Sequence, residues 1–111
     1  MATFGRASVV LVEFPFSDLS DSKLRPAIVL AEAGRGDLIL CQITSNAFAD
    51  AKAIEITNSD FDIGSLRRTS FARPNKIFTG HESLINRRVG ILKETNLEKI
   101  IEAAIDILNG K

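Results

Sequence analysis

Three short runs of β-branched and leucine-rich sequence, punctuated by serine, proline, glycine and aspartate, set the tightest limit on how this chain can fold. They are Val9-Val10-Leu11-Val12-Glu13-Phe14, Ala27-Ile28-Val29-Leu30 and Leu38-Ile39-Leu40-Cys41-Gln42-Ile43. Residues of this kind fit a pleated surface, and runs this short suit strands rather than helices. The glycines in Glu32-Ala33-Gly34-Arg35-Gly36-Asp37 predict a hairpin that places the second and third strands side by side and antiparallel. Weaker strand signals follow at Ala53–Ile56, Thr69–Ala72, Lys76–Phe78 and Arg88–Leu92.

The period then changes. Leu97, Ile100, Ile101, Ala104, Ile105 and Leu108 recur at helical spacing, so one face of a final helix must pack on the sheet. Thr95-Asn96-Leu97-Glu98 reads as a capping box that starts this helix, and Gly110 suits its stop. The prediction is a mainly β fold with a C-terminal α-helix, a small antiparallel barrel or sandwich. It forms a single domain over residues 1–111, with 45% of them apolar. At this size there is little room for a deeply buried site, so chemistry is expected at the surface or between subunits.

One cysteine, Cys41, and one histidine, His81, leave no cluster to hold zinc, and no metal or cofactor is expected. The N-terminus lacks the layout of a signal peptide, and the longest apolar runs fall far short of a membrane span. A cytoplasmic protein with no membrane partner is predicted.

The formal net charge is zero, yet the charges are segregated. Acids dominate from Glu32 to Asp62. From Arg67 to Lys93, Arg67, Arg68, Arg73, Lys76, Arg87, Arg88 and Lys93 oppose only Glu82. With Arg25 folded beside them they would form a phosphate-binding surface; the plainer reading is a set of solvated faces and protected sheet edges. The polar stretches Ser17–Lys23 and Asn58–Arg68 are candidate binding loops. Most phenylalanines are expected in the core, while Phe16 and Phe61, in or beside these loops, are placed to meet a base or a protein partner. Cys41 reads as a small buried hydrophobe, and His81 as a surface histidine in a turn.

Several stretches, taken in order, resemble the PemK/MazF-like toxins of type II toxin–antitoxin systems. They are Val9-Val10-Leu11-Val12-Glu13-Phe14-Pro15-Phe16-Ser17-Asp18, Lys23-Leu24-Arg25-Pro26-Ala27-Ile28-Val29-Leu30, Cys41-Gln42-Ile43-Thr44-Ser45-Asn46 and Ser70-Phe71-Ala72-Arg73-Pro74-Asn75-Lys76-Ile77-Phe78-Thr79, with Leu84–Gly90 leading into the final helix. The resemblance implies an SH3-like barrel acting as a homodimer whose groove holds single-stranded mRNA. It implies a metal-independent, sequence-specific endoribonuclease: the ribose 2′-OH attacks its own phosphorus, leaving a 2′,3′-cyclic phosphate and a 5′-OH. It further implies a cognate antitoxin protein that covers the groove, and DNA binding by the toxin–antitoxin complex.

That reaction needs positive charge at the non-bridging oxygens and groups that fix the attacking hydroxyl. Arg25, whose backbone is kept extended by Pro26, offers a planar fork to a phosphate, and Thr44 offers a hydroxyl at a strand end. On the residues alone, an arginine before proline is more often a surface turn residue and Thr-Ser-Asn more often a cap or turn. The resemblance assigns Arg25 and Thr44 as catalytic. By the same match Ser45, Arg73 and Asn75 are substrate-binding; Arg68 and Lys76 join them as further basic candidates, with Phe16 and Asp18 after the first strand.

Two departures stand out. Asn75 occupies a position where some members carry an aspartate, and an amide cannot take a proton as a carboxylate does. Ala7-Ser8 stands where the family commonly has Gly-Asp. Two other readings are carried alongside the nuclease: a same-fold toxin that binds a protein target such as DNA gyrase, and an inactive toxin kept as a binding or regulatory module. The Arg25-Pro26 and Ile43-Thr44-Ser45 motifs favour the nuclease.

Overall fold

A computed structural model describes residues 4–15, 22–47 and 50–111. The strands are β1 (Ser8–Pro15), β2 (Ser22–Gly34), β3 (Asp37–Thr44), β4 (Ile54–Ile56), β5 (Phe61–Gly64), β6 (Ser70–His81) and β7 (Ile85–Leu92), followed by the helix α1 (Glu94–Leu108). They form one curled antiparallel sheet in the order β4-β6-β3-β2-β1-β7-β5. The mainly β fold with its C-terminal helix is as expected. Phe16, Asp18, Phe48 and most of the Ser17–Lys23 stretch lie outside the described residues.

The sheet's pleat sorts the apolar runs onto two faces. Val9, Ile28, Cys41 and Ile43 join one core with Ile56, Phe61, Ala72, Leu92 and the helical Leu97 and Ile100. Their neighbours Val10, Val12, Ala27, Val29, Leu38 and Leu40 form a second core on the opposite face. Central strands that are apolar on both sides explain why the runs are nearly continuous rather than alternating.

The β2–β3 hairpin closes as expected. Arg35 and Gly36 both adopt positive φ, 57° and 82°, the backbone of a two-residue turn whose twist matches the flanking strands. At the N-terminus, Ala7 sits at φ 71°. A left-handed alanine costs about 1 kcal/mol, and burial of its methyl group in the first core offsets that by about 0.8 kcal/mol.

Four local expectations are corrected. The helix starts at Glu94 with Lys93 as its N-cap, so Thr95 lies inside the first turn and the Thr95–Glu98 box is not its start. The Lys93 N–H is tied to the Asp60 carbonyl, and the Lys93 carbonyl already accepts from Asn96 and Leu97, which fixes the start two residues early. The expected stop holds: Gly110 (φ 79°) donates to Ile107 and Lys111 to Asp106, closing the last turn. Asn58–Arg68 is not simply a loop, since it contains β5. Phe61, expected to be free for a base, is buried in the first core because it pairs with Leu92. On α1, Leu97, Ile100 and Ala104 are buried, whereas Ile105 and Leu108 of the expected apolar face are exposed.

β6 unites two segments expected as separate strands. Its register against β3 jumps from Ile77 opposite Cys41 to Arg73 opposite Gln42, leaving Pro74, Asn75 and Lys76 out of the ladder. Pro74 has no N–H to donate, so a bulge here costs the sheet least. Gly64 and Gly90 pair where β5 crosses β7, and a Cβ on Gly64 would lie 2.1 Å from the Val89 carbonyl oxygen. Gly64 also holds φ 75°. Gly64→Ala should therefore destabilise the protein by at least about 1–3 kcal/mol, read as a lower urea midpoint; an unchanged midpoint would show that the crossing is not close.

Candidate functional site

The β2–β3 register pairs Ala27 with Gln42 and Ile28 with Cys41. Continued toward Ser45, it sets Arg25 opposite Thr44. Arg25 also pairs through its backbone with Val12 of β1, while the next pair, Leu11–Pro26, continues across β1 to Arg87 of β7. Side chains from distant parts of the chain thus meet across the four neighbouring strands β3, β2, β1 and β7.

They line a cavity of about 700 Å³ together with the segment that follows Gly64. Its walls carry Arg25, Arg67, Arg68 and Arg87, its hydroxyls are Thr44, Ser45, Ser65 and Ser70, and no acidic residue is among the described lining residues. Ile43 belongs to the first core, against which Leu66 and Val89 also pack, so the cavity has an apolar floor. Four guanidinium groups with no carboxylate between them make it an anion site, and apolar surroundings strengthen their field. Thr44 Oγ1 accepts from the Asn46 N–H and faces the Asn46 carbonyl, each at 3.2 Å, which fixes the turn leading out of β3.

Of the expected residues within the described chain, Arg25, Thr44, Ser45 and Arg68 come together here. Arg73, Asn75 and Lys76 do not line the cavity, because all three lie at or in the β6 bulge. The Arg73 Nε donates to Asp50 Oδ2 at 2.7 Å, and Asn75 Nδ2 approaches Asp50 Oδ1 at 3.5 Å. Hydrogen bonding from Arg73 holds the Asp50 carboxyl below its ordinary value of 3.8. Its contribution to stability is therefore complete above that value and is lost as the pH falls through the lower, folded one.

Sequence reasoning gave Arg67 no role of its own and left Arg87 among the basic residues without a place. Arg87 was legible only through a β1–β7 pairing between the two ends of the chain, and Arg67 only through the Gly64–Gly90 crossing.

His81 is exposed and lines a different cavity, with Glu32, Asp37 and Glu82. Among the described residues no group of three or more His, Cys, Asp or Glu is placed to hold a metal. Cys41 is buried, with Sγ 3.2 Å from the Arg73 carbonyl, and burial pushes its thiol up to about 12. It should resist a thiol reagent at neutral pH until denaturant is added; prompt labelling of the native protein would contradict this placement.

Known structures share this fold. An endoribonuclease in complex with its cognate antitoxin, from a mycobacterial species, superimposes with a TM-score of 0.75 at 14% identity, covering 96% of each chain. MazE-MazF from Deinococcus radiodurans (Form-II) gives 0.79 at 14% identity over 100% of each chain. The Mycobacterium tuberculosis toxin MazF-mt6 gives 0.67 at 16% identity, covering 90% of this chain and 93% of that one. No curated protein matches in sequence. The sequence profile of the PemK-like, MazF-like toxins of type II toxin–antitoxin systems matches residues 5–108, and the chain belongs to that family.

Proposed function

We propose that this toxin is an endoribonuclease that cleaves single-stranded mRNA by attack of a ribose 2′-OH on the adjacent phosphorus. The observation that carries the reading is the cavity that Arg25, Arg67, Arg68 and Arg87 line together with Thr44 and Ser45, with no acidic residue among the described lining residues. In-line attack builds negative charge on the non-bridging oxygens, and Arg25 is the group we assign to meet it. Thr44 hydrogen-bonds the scissile phosphate and helps hold the sugar in line for attack. Ser45 and Arg68 contact the flanking backbone. The described lining residues supply charge and hydroxyls, and these act on the phosphate. As bonds change, the 2′-hydroxyl gives its proton to water as its oxygen closes onto phosphorus, the bond to the 5′-oxygen breaks, and that oxygen takes a proton from water.

The reading extends to a homodimer in the cytoplasm, a cognate antitoxin that occludes the groove, and DNA binding by the complex. Arg73, Asn75 and Lys76 contact RNA, if at all, outside the arginine cavity. The test is incubation of the purified protein with a long unstructured RNA in EDTA, followed by mapping of the cut sites and their ends. Discrete cuts at one short sequence, leaving 5′-OH and cyclic phosphate ends, are expected. Intact RNA beside arrested growth on expression would instead favour a protein target.

A further inference from the structure

Asp50 lies outside the lining of the arginine cavity, yet both of its carboxylate oxygens are engaged. Its side chain is only 8% exposed and pairs with Arg73. One oxygen takes the Arg73 Nε at 2.7 Å; the other takes the Lys52 N–H at 2.9 Å and lies 3.5 Å from Asn75 Nδ2. Arg73 and Asn75 belong to β6, at and within the bulge, whereas Asp50 follows the strand β3 that carries Thr44. The Asp50 N–H also donates to the Ala47 carbonyl at 3.0 Å, and Asn46 is tied to Thr44 Oγ1. Thr44, Ser45, Asn46, Ala47 and Asp50 are therefore successive anchor points of one segment. Its near end lines the arginine cavity, and its far end is pinned to the bulge by an ion pair. A small groove lined by Ser45, Asn46, Ala47, Asp50, Ala53 and Phe71 adjoins the cavity through Ser45.

An exposed ion pair contributes little, but one this shielded, with a short bond to guanidinium and a second donor on the backbone, restricts its surroundings. A misplacement of about 1 Å in a group that positions a phosphate costs up to about 100-fold in rate. The bulge also explains how the clamp is made. Leaving Pro74, Asn75 and Lys76 out of the ladder frees β6 to meet the segment beyond β3 with side chains rather than with backbone.

We propose that Asp50 is a positioning residue for the proposed cleavage reaction, clamping the Thr44–Ala47 segment to the β6 bulge through Arg73 and Asn75 so that Thr44 and Ser45 stay aimed into the arginine cavity. Arg73 then acts through Asp50 and not on the phosphate. Both Asp50 oxygens are engaged, one by the Arg73 Nε and the other by the Lys52 N–H, so an amide at position 50, with a single acceptor oxygen, loses one of these bonds. This inference rests on the nuclease reading for its kinetic part only.

The test compares the full-length protein with Asp50→Asn, Arg73→Gln and the double variant D50N/R73Q, using cleavage of a short single-stranded RNA and backbone amide NMR of Ser45 and Asn46. Asp50→Asn should lower kcat roughly tenfold or more with KM near the parent value, and shift both amide resonances. Arg73→Gln should do the same, and the double variant should lose no more than either single one, because both break the same pair. Should Asp50→Asn fail to fold, Arg73→Gln decides alone. Parental kcat and unmoved amides in Asp50→Asn would overturn the proposal, as would losses that add in the double variant or a raised KM with parental kcat in Arg73→Gln. If the parent cuts no RNA, the nuclease reading falls, and the amide resonances of the two single variants still support or sink the clamp.

Discussion

Replacing Arg25 by alanine should lower the rate of RNA cleavage about 10²–10³-fold, the loss expected when one preorganised electrostatic donor is removed from a developing oxyanion. The expectation follows from the position of the residue. Arg25 and Thr44 line the same cavity, and the β2–β3 register, continued two residues past Ala27–Gln42, sets them opposite one another. Its backbone pairing with Val12 does not depend on its side chain, and the variant should fold as the parent does. Arg6→Ala is the matched control, because Arg6 is an exposed partner of Glu94 at 3.5 Å and lies outside the cavity. Parental cleavage by Arg25→Ala would end its assignment as the charge-stabilising group. Growth arrest that survives the loss of cleavage would show that toxicity runs through another target.

The second large effect is on salt dependence. If the four cavity arginines each neutralise a phosphate, the affinity for single-stranded RNA should fall with a log–log slope of about −2.8, near 0.7 per contact. Between 50 and 200 mM salt that is a loss of roughly 50-fold. Arg67→Ala should reduce the slope by about 0.7 and weaken binding to all sequences alike, as expected of a backbone contact. Titration of a labelled, uncleavable RNA at several salt concentrations measures both. A slope near zero would mean that the cavity does not hold the RNA backbone, whatever its cleavage activity.

Both predictions use residues whose visibility in the sequence differed. Arg25 and Thr44 were legible through the family resemblance, since on the residues alone they read as turn and cap residues, and the β2–β3 hairpin then brings their strands together. Arg67 and Arg87 stood out only as members of a basic run expected beside Arg25; which of that run line the cavity depends on which strands meet after the sheet has curled, and no local pattern encodes that. Arg73 and Asn75 were grouped with Arg25 on charge and motif alone. Pro74 breaks the ladder between them, and the bulge hands them to Asp50 instead. The Thr95 box failed for a related reason: a hydrogen bond from Lys93 to Asp60, remote in sequence, overrides the local cap.

The pairing of β1 with both β2 and β7 carries a consequence for synthesis of the chain. While the polypeptide is emerging from the ribosome, the first strand has one neighbour and waits for the seventh to supply the other. Arg87 travels on that last strand, so a nascent or truncated chain lacking it presents an open sheet and an incomplete cluster of arginines. Closure between the two ends of the chain is a long-range step, slow compared with hairpin formation. Any RNA cleavage that uses the arginine cavity should therefore begin only once the seventh strand has been made, leaving a nascent chain that lacks it harmless to the RNA from which it is being read.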